Sequence, residues 1–228
     1  MEPFRYQEPK DDFLQKVKEK TAKANAVLIF DEVTSGWRHV HGGIHQLYSI
    51  EPDIAAYAKA ISNGFPSAAI VGREEIMQSA QDTFISSTYW TERIGSVAAL
   101  STIHELKERQ VAEYLHEAGT KIQSIWADTA AIHHISITIE GRPALTHFTF
   151  NHENPQILST LLTQELLKHH ILGNTAYYAS FAHKTEYIER YGEALDKAMG
   201  IIEKAIDSGK PEVFLRSEPA LKGFTRLT

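Results

Sequence analysis

Hydrophobic and polar positions follow two different periods along this chain. In residues 11–24, apolar side chains fall on one helical face and lysines on the other, which predicts an amphipathic helix with an aspartate cap. Residues 26–30, AVLIF, form an uninterrupted apolar run that is typical of a strand covered on both faces in a parallel sheet. The acids Asp31 and Glu32 follow this strand at its carboxyl end, where open α/β sheets bind their ligands.

Shorter elements are predicted next. Pro52 and Asp53 can open a short helix that runs to Lys59, and the segment SNGFP at 62–66 then breaks it. Residues 67–72, SAAIVG, follow as a strand of small side chains. Helices that alternate with strands in this way indicate an α/β architecture.

The second half of the chain has a different pattern. A long amphipathic helix is predicted over residues 96–130, with Gly119 as a candidate pause. Beyond it the sequence predicts two alternating strands and two helices, at 135–141, 146–150, 158–172 and 185–207. Strands and helices that segregate are typical of an α+β domain. We therefore predict a partial α/β domain in residues 1–106 and a smaller α+β domain with a tail in residues 107–228.

Composition narrows the classes of partner. The 228 residues are 43% hydrophobic, and their net charge of -6 is not accompanied by any basic stripe. Nucleic acid and anionic membrane surfaces are therefore unexpected partners, and no apolar run reaches the roughly 20 residues of a membrane span. The chain has no cysteine, which excludes disulfide and thiol chemistry. We expect a cytoplasmic protein that binds small molecules or other proteins.

The acids Asp31 and Glu32 need an explanation, because removing a bare carboxylate from water is costly. They could cap a helix or form a surface turn, or they could face a cationic amine or heterocycle. Lys59 is a candidate cation because small and apolar residues surround it, although a lysine there is also typical of a solvated helix. A metal site at His41 and His45 is a weaker hypothesis, since no nearby carboxylate completes a ligand set.

These residues also carry a family resemblance. The motif DEVTSGWR, followed by PDI and AKAISNGFPSAAIVGR, resembles the cofactor-binding segment of class III aminotransferases, which are pyridoxal-phosphate enzymes of fold type I. The glutamate-1-semialdehyde aminotransferase-like branch is the most similar, and the resemblance covers most of the chain. One departure is that the family has more glycine where this chain has Ser62 and Asn63.

The resemblance implies pyridoxal 5'-phosphate as the cofactor. Lys59 would form a Schiff base with its aldehyde, and would later shuttle a proton between the substrate α-carbon and the cofactor C4' carbon. Asp31 would pair with the protonated ring nitrogen, and Val33 would pack on one ring face. Glu32 would support the site through hydrogen bonds or serve the structure alone. The reaction would move an amino group from a small-molecule donor to a keto or aldehyde acceptor.

Phosphate recognition is expected just before the long helix. Ser86, Ser87, Thr88 and Thr91 precede its start, where hydroxyl groups and backbone amides suit an anion. The family's phosphate-contacting threonine matches Thr88 best, and Thr91 stays open because the local spacing departs from the family by one residue. An ordinary Ser/Thr turn is the alternative. By resemblance this threonine serves the neighbouring subunit, which implies a homodimer.

The segment before Asp31 is short for this family. It has 30 residues and contains no glycine-rich phosphate cradle. We therefore expect a C-terminal portion, either a fragment or half of a site that a separate N-terminal chain completes. Alone it would have no appreciable transaminase activity, and its apolar sheet faces would need a cover. The alternative is a non-catalytic binding or assembly module that keeps the fold.

Overall fold

The computed structural model describes residues 8–86, 88 and 91–221. Contacts within the chain divide it into two units, Met1–Leu115 and His116–Thr228. Each unit contains a three-stranded sheet accompanied by helices, so the expected α/β character is confirmed. The domain boundary expected after residue 106 stays a prediction.

The sheet of the first unit has the order β1 (Ile29–Asp31), β2 (Ile54–Tyr57) and β3 (Ala69–Gly72). Strands β1 and β2 are parallel, whereas β3 is antiparallel to β2. The predicted first helix is present as α1 (Phe13–Lys23). Its Leu14 packs with Phe30 of β1 in a buried cluster, because Leu14 lies on the apolar face of the helix.

The prediction of a helix between Pro52 and Lys59 was wrong, because this segment contains strand β2. Its backbone pairs with β1 from the start, since the N–H groups of Asp53 and Ile54 both donate to the carbonyl of Leu28. The Asp53 carboxylate in turn accepts a hydrogen bond of 2.8 Å from the Leu28 N–H. A run of only four small and apolar residues is too short to choose helix by itself, so strand pairing decides its conformation.

Strand β1 is covered on one face rather than on both. Phe30 is fully buried, whereas Ile29, which points to the opposite face, is 47% exposed. Ile70 of β3 shares the face of Ile29, because Asp31, Ala56 and Ile70 are register partners, and it is 64% exposed. One apolar face of this sheet is therefore open in this chain.

The long helix predicted over residues 96–130 is divided in two. After the short α2 (Glu74–Met77) come α3 (Ile94–Glu108) and α4 (Val111–Ile132). The break falls at Gln110, which has a φ of 48°, and not at Gly119. Gly119 lies inside α4, where an added Cβ would lie 1.9 Å from the carbonyl oxygen of Pro143. The glycine therefore permits close packing of α4 against the turn at Pro143.

The second unit contains an antiparallel sheet of β4 (Ile137–Arg142), β5 (Leu145–Phe150) and β6 (Ala176–Tyr178). The predicted helices are present as α5 (Pro155–Leu167) and α6 (Thr185–Asp207), whereas β6 was not predicted. Trp126 of α4 is 1% exposed, packs edge-on against Phe148 of β5, and donates a 2.7 Å hydrogen bond to the Tyr191 hydroxyl of α6. Among the described residues, the helices are all too short or too polar to cross a membrane.

Candidate functional site

Asp31 and Lys59 lie at the carboxyl ends of two neighbouring parallel strands. Asp31 is the last residue of β1, and Ala56 of β2 is its register partner. Lys59 follows three residues after Ala56, at the start of the 3-10 turn Lys59–Ile61. The sequence predicted both a strand end at Asp31 and a turn after Lys59. Parallel pairing places the acid and the amine at the same edge of the sheet.

The Asp31 side chain is accessible for an interaction. It is exposed, and its Oδ1 accepts a hydrogen bond of 3.0 Å from the backbone N–H of Val33. This contact orients the carboxylate, and its other oxygen accepts no hydrogen bond from the residues that the structure describes. Val33 itself is half-buried.

The Lys59 side chain is also exposed, and its amine has a defined partner. Its Nζ donates a hydrogen bond of 2.8 Å to the hydroxyl of Thr34, a residue that is 7% exposed. The backbone of Lys59 has a φ of 52°, a left-handed conformation that lysine rarely adopts. The Lys59 carbonyl accepts a hydrogen bond from the N–H of Asn63, which closes the turn.

The turn after Lys59 explains the departure from the family at Ser62 and Asn63. Ser62 is fully buried, and its hydroxyl lies 2.7 Å from the carbonyl oxygen of Phe65, to which it donates. Asn63 has a φ of 48° and Gly64 a φ of 102°. Asparagine tolerates the left-handed conformation better than most residues, so it can stand where a glycine is expected.

Glu32 has a different environment from its neighbour Asp31. Its side chain is fully buried and accepts four hydrogen bonds, from the Ser35 hydroxyl, the N–H groups of Ile44 and His45, and the His45 ring. The cost of burying this carboxylate is therefore offset by donors rather than by a lysine or arginine. The sequence left the role of Glu32 open because three of these four donors come from 12 and 13 residues further along the chain.

Aromatic side chains pack beside this buried acid. Trp37 contacts His41 edge-on at 4.9 Å between ring centroids and lies 6.2 Å from the ring of Tyr57. Burial first, and the negative charge of Glu32 second, raise the pKa of Tyr57 to about 12. His41 and His45 have different partners, and no metal-binding group of three His, Asp or Glu residues is found in the described part of the chain.

The expected phosphate-binding threonines lie before α3. Thr88 and Thr91 are both exposed, whereas Ser87 lies outside the described residues. The carboxylate of Glu92 accepts hydrogen bonds from the N–H groups of Ile94 and Gly95, and these bonds lower its pKa. Because Glu92 occupies the first amides of α3, an anion at this position would be bound through the hydroxyl groups.

The combination of an amine and a carboxylate limits the chemistry that this edge of the sheet can perform. A lysine amine can attack a carbonyl carbon, and a carboxylate can hold a protonated nitrogen of a heterocycle. Lys59 forms no ion pair with the residues that the structure describes, so its amine is not committed to an acid. The pair is therefore compatible with the aldehyde and the ring nitrogen of the cofactor that the family resemblance implies.

Comparisons with known proteins agree with this chemistry. The family model described as aminotransferase class-III matches residues 6–202. The 3-aminobutyryl-CoA aminotransferase of Cloacimonas acidaminovorans is 29% identical over 206 residues, which cover 88% of this chain and 50% of that protein. The glutamate-1-semialdehyde 2,1-aminomutase of Ignicoccus hospitalis is 26% identical over 210 residues, covering 85% and 50%.

Solved structures show a matching fold. The FumI protein of Sphingopyxis sp. MTA144, solved in its PLP internal aldimine form, superposes with a TM-score of 0.84 at 21% identity. The match covers 94% of this chain and 54% of that one. The chain thus spans about half the length of the curated relatives it matches. The expected fold is confirmed.

Proposed function

Because the chain belongs to the class-III aminotransferase family, we propose that it carries the lysine and the acid of a pyridoxal-phosphate-dependent aminotransferase. The enzyme would transfer an amino group from a small-molecule donor to a keto or aldehyde acceptor. The observation that supports this proposal is the placement of Lys59 and Asp31 at the carboxyl ends of adjacent parallel strands. Residues 1–106 would form the cofactor-binding part, and residues 107–228 the small domain.

The side chains at this edge of the sheet fit two parts of pyridoxal 5'-phosphate. When bound, the cofactor supplies an aldehyde that reacts with amines and a protonated ring that withdraws electrons. Lys59 would hold the aldehyde carbon through its amine, and Asp31 would keep the ring nitrogen protonated through its open oxygen. Val33 would pack against the ring, and Thr88, or else Thr91, would bind the phosphate of the neighbouring subunit's cofactor.

Lys59 would act twice in this scheme. Its amine would hold the aldehyde carbon of the cofactor, and when not engaged there it would accept a proton from the substrate α-carbon. The contact with Thr34 keeps the amine near the Asp31 edge of the sheet in the meantime. Asp31 would hold the ring nitrogen in its protonated form, and that positive charge would stabilise negative charge at the α-carbon.

Exposed apolar surface supports an assembly larger than one chain. The open sheet face contains Ile29 and Ile70, and α3 exposes Ile94, Val97 and Leu100 at helical spacing. We propose that a second copy of the chain covers the exposed face of α3 and that the remaining part of the fold, in the same polypeptide or in a separate N-terminal chain, covers the open sheet face. Because relatives of this family are about twice as long, activity is proposed for that complete assembly.

Borohydride trapping tests the proposal directly. The chain is mixed with pyridoxal 5'-phosphate and reduced with borohydride. Its intact mass is then measured, and the modified residue is located by peptide mass spectrometry. We expect one pyridoxyl group per chain, located on Lys59, and none on Lys59→Arg under the same conditions. A pyridoxyl group on another lysine, or no saturable cofactor absorbance in the wild-type chain or its assembly, would instead favour a non-catalytic module that keeps the fold.

Light scattering tests the oligomeric part of the proposal. A dimer mass is expected for the wild-type chain, and Val97→Lys, which places a charge on the exposed face of α3, should shift the population towards monomer. A monomer at every concentration would contradict the homodimer. Cytoplasmic localisation likewise stays a prediction, which fractionation of expressing cells would check.

A further inference from the structure

We propose that Thr34 is a positioning residue for the Lys59 amine, an inference that rests on the proposed role of Lys59. Thr34 Oγ1 lies 2.8 Å from Lys59 Nζ, although 25 residues separate the two in sequence. Thr34 is 7% exposed, whereas Lys59 is exposed, so the hydroxyl holds the amine from the protein side.

The backbone around Thr34 is fixed by hydrogen bonds on both sides. The carbonyl of Glu32 accepts a 2.8 Å hydrogen bond from the N–H of Gly36, and the Glu32 carboxylate accepts one from the Ser35 hydroxyl. Thr34 lies inside this closed turn, so the position of its backbone is set by buried hydrogen bonds. Folding therefore places its Cβ, and the β-branched side chain has few χ1 rotamers with which to direct the hydroxyl towards Lys59.

The backbone of Lys59 is fixed as well. Its left-handed φ of 52° and the hydrogen bond from Asn63 to its carbonyl determine where the side chain begins. A lysine side chain nevertheless has four rotatable bonds and loses much conformational freedom when its amine is held. The Thr34 hydroxyl is the hydrogen-bond partner of this amine in the described structure, and it selects one arrangement of the side chain.

A hydroxyl suits an amine that must change its protonation state. An ammonium group can only donate, and the Thr34 oxygen then accepts from it. A neutral amine has a lone pair, and the same hydroxyl can then donate its own proton. A carboxylate at this position could only accept and would favour the charged amine. Thr34 therefore holds Lys59 in both states, as proton transfer at a substrate carbon requires.

Trace acetylation of the chain without cofactor measures this contact. The lysines are acetylated at a low reagent concentration, and the extent of labelling at each is measured by mass spectrometry. Lys184 of the second unit is the internal reference. Thr34→Val removes the hydroxyl at constant shape, and we expect Lys59 to be labelled about threefold faster because its amine is released. Thr34→Ser should restore the wild-type rate. The matched control Thr21→Val removes the hydroxyl that bonds to the Val17 carbonyl in α1, and should leave Lys59 unchanged.

A second pair of variants covers the case in which valine disturbs the fold. Thr34→Ala and Thr34→Ser differ by one hydroxyl, and the same difference in Lys59 labelling is expected between them. Equal labelling of Lys59 in the alanine and serine variants would overturn the proposal. A uniform rise in the labelling of all lysines would show that a variant is unfolded. The role of Thr34 is then judged from the two variants that remain folded.

Borohydride trapping separates this inference from the proposed function. Free reagent samples the accessibility of the amine, whereas trapping of a bound aldehyde depends on the position of the amine. With pyridoxal 5'-phosphate bound, Thr34→Val should therefore reduce the initial rate of trapping at Lys59 about threefold, and Thr34→Ser should not. If wild-type trapping occurs at another lysine while acetylation still depends on Thr34, the contact is real and the proposed cofactor role fails. If Lys59 is trapped equally fast in all variants, the cofactor role holds and the role of Thr34 fails.

Discussion

Oε1 of Glu32 lies 3.0 Å from Nδ1 of His45, and the Glu32 side chain is completely shielded from water. The backbone N–H groups of Ile44 and His45 donate to the same carboxylate, and the Ser35 hydroxyl donates at 2.7 Å. A single acid therefore joins the turn after β1 to a segment 12 residues further along the chain. The candidate site is built on this connection, because Thr34 lies within that turn.

Replacement of Glu32 should therefore destabilise the first unit. Glu32→Ala leaves one buried and one partly buried backbone N–H group and a buried hydroxyl without an acceptor, and we expect a loss of about 3 kcal/mol in the free energy of unfolding. Urea denaturation, followed by the fluorescence of the tryptophans, measures the loss. The surface variant Glu19→Gln, which affects an exposed bond to Gln15, is the matched control and should change stability by less than about 0.5 kcal/mol.

Replacement of Asp31 should affect catalysis much more than stability. Because its carboxylate is exposed and bonded to one backbone N–H, Asp31→Asn should cost at most about 1 kcal/mol of stability. In the assembled enzyme it should slow proton removal from the substrate α-carbon about 100-fold, while cofactor affinity falls much less. Single-turnover absorbance with an amino donor provides the rate. A normal rate in Asp31→Asn, with a slow one in folded Glu32→Gln, would mean that the two acids had been exchanged.

The sequence predicted the strand end at Asp31 and the turn after Lys59, because both depend on local signals: an apolar run, then acids, and later Asn-Gly. It did not predict strand β2, since IAAY is short enough to form either a helix or a strand and its pairing with β1 decides. Three of the four donors around Glu32, those from Ile44 and His45, could not be predicted either. They depend on the path of the chain between Ser35 and Ile44, and no periodicity describes that path.

The second unit contains a pH-dependent contact. The ring of His133 bonds through Nε2 to Asp196 and through Nδ1 to Glu203, at 2.9 and 3.1 Å. Burial alone would lower the pKa of His133, but the two acids outweigh it and raise the pKa above its ordinary value of 6.5. A ring that donates from both nitrogens is a cation. The two bonds that join the end of α4 to α6 thus form together only while His133 is protonated, because the neutral ring keeps a single N–H.

Stability from this contact should fall as the pH rises. Because the folded pKa is the higher one, the contribution is complete below the unfolded value of about 6.5 and is lost as the pH passes the folded pKa. Urea denaturation at about pH 6 and about pH 9 should therefore show a smaller difference in His133→Gln than in the wild type. His134→Gln alters the exposed neighbouring ring and is the control. An unchanged pH dependence in His133→Gln would exclude the contact as its source.

Gly119 provides a test of helix packing in the second unit. Gly119→Ala would place a methyl carbon 1.9 Å from the Pro143 carbonyl oxygen, which no rotamer change can relieve. We expect a loss of about 3 kcal/mol, measured as a lower thermal midpoint. In α6, Gly192→Ala would meet only Ile125 at 3.6 Å, and it should be neutral or stabilising by about 0.5 kcal/mol. Equal effects of the two substitutions would contradict the packing of α4 on this turn.

Under the proposed function, the left-handed backbone at Lys59 would place activity and stability in competition. A residue with a side chain pays about 1 kcal/mol for this conformation, which glycine adopts freely. Lys59→Gly should therefore unfold at higher urea than Lys59→Ala, although both abolish cofactor trapping. Selection for stability alone would therefore favour glycine over lysine at this position. In homologues that no longer need the amine, we expect glycine to replace lysine at position 59. The residue at this position would then distinguish catalytic homologues from non-catalytic ones.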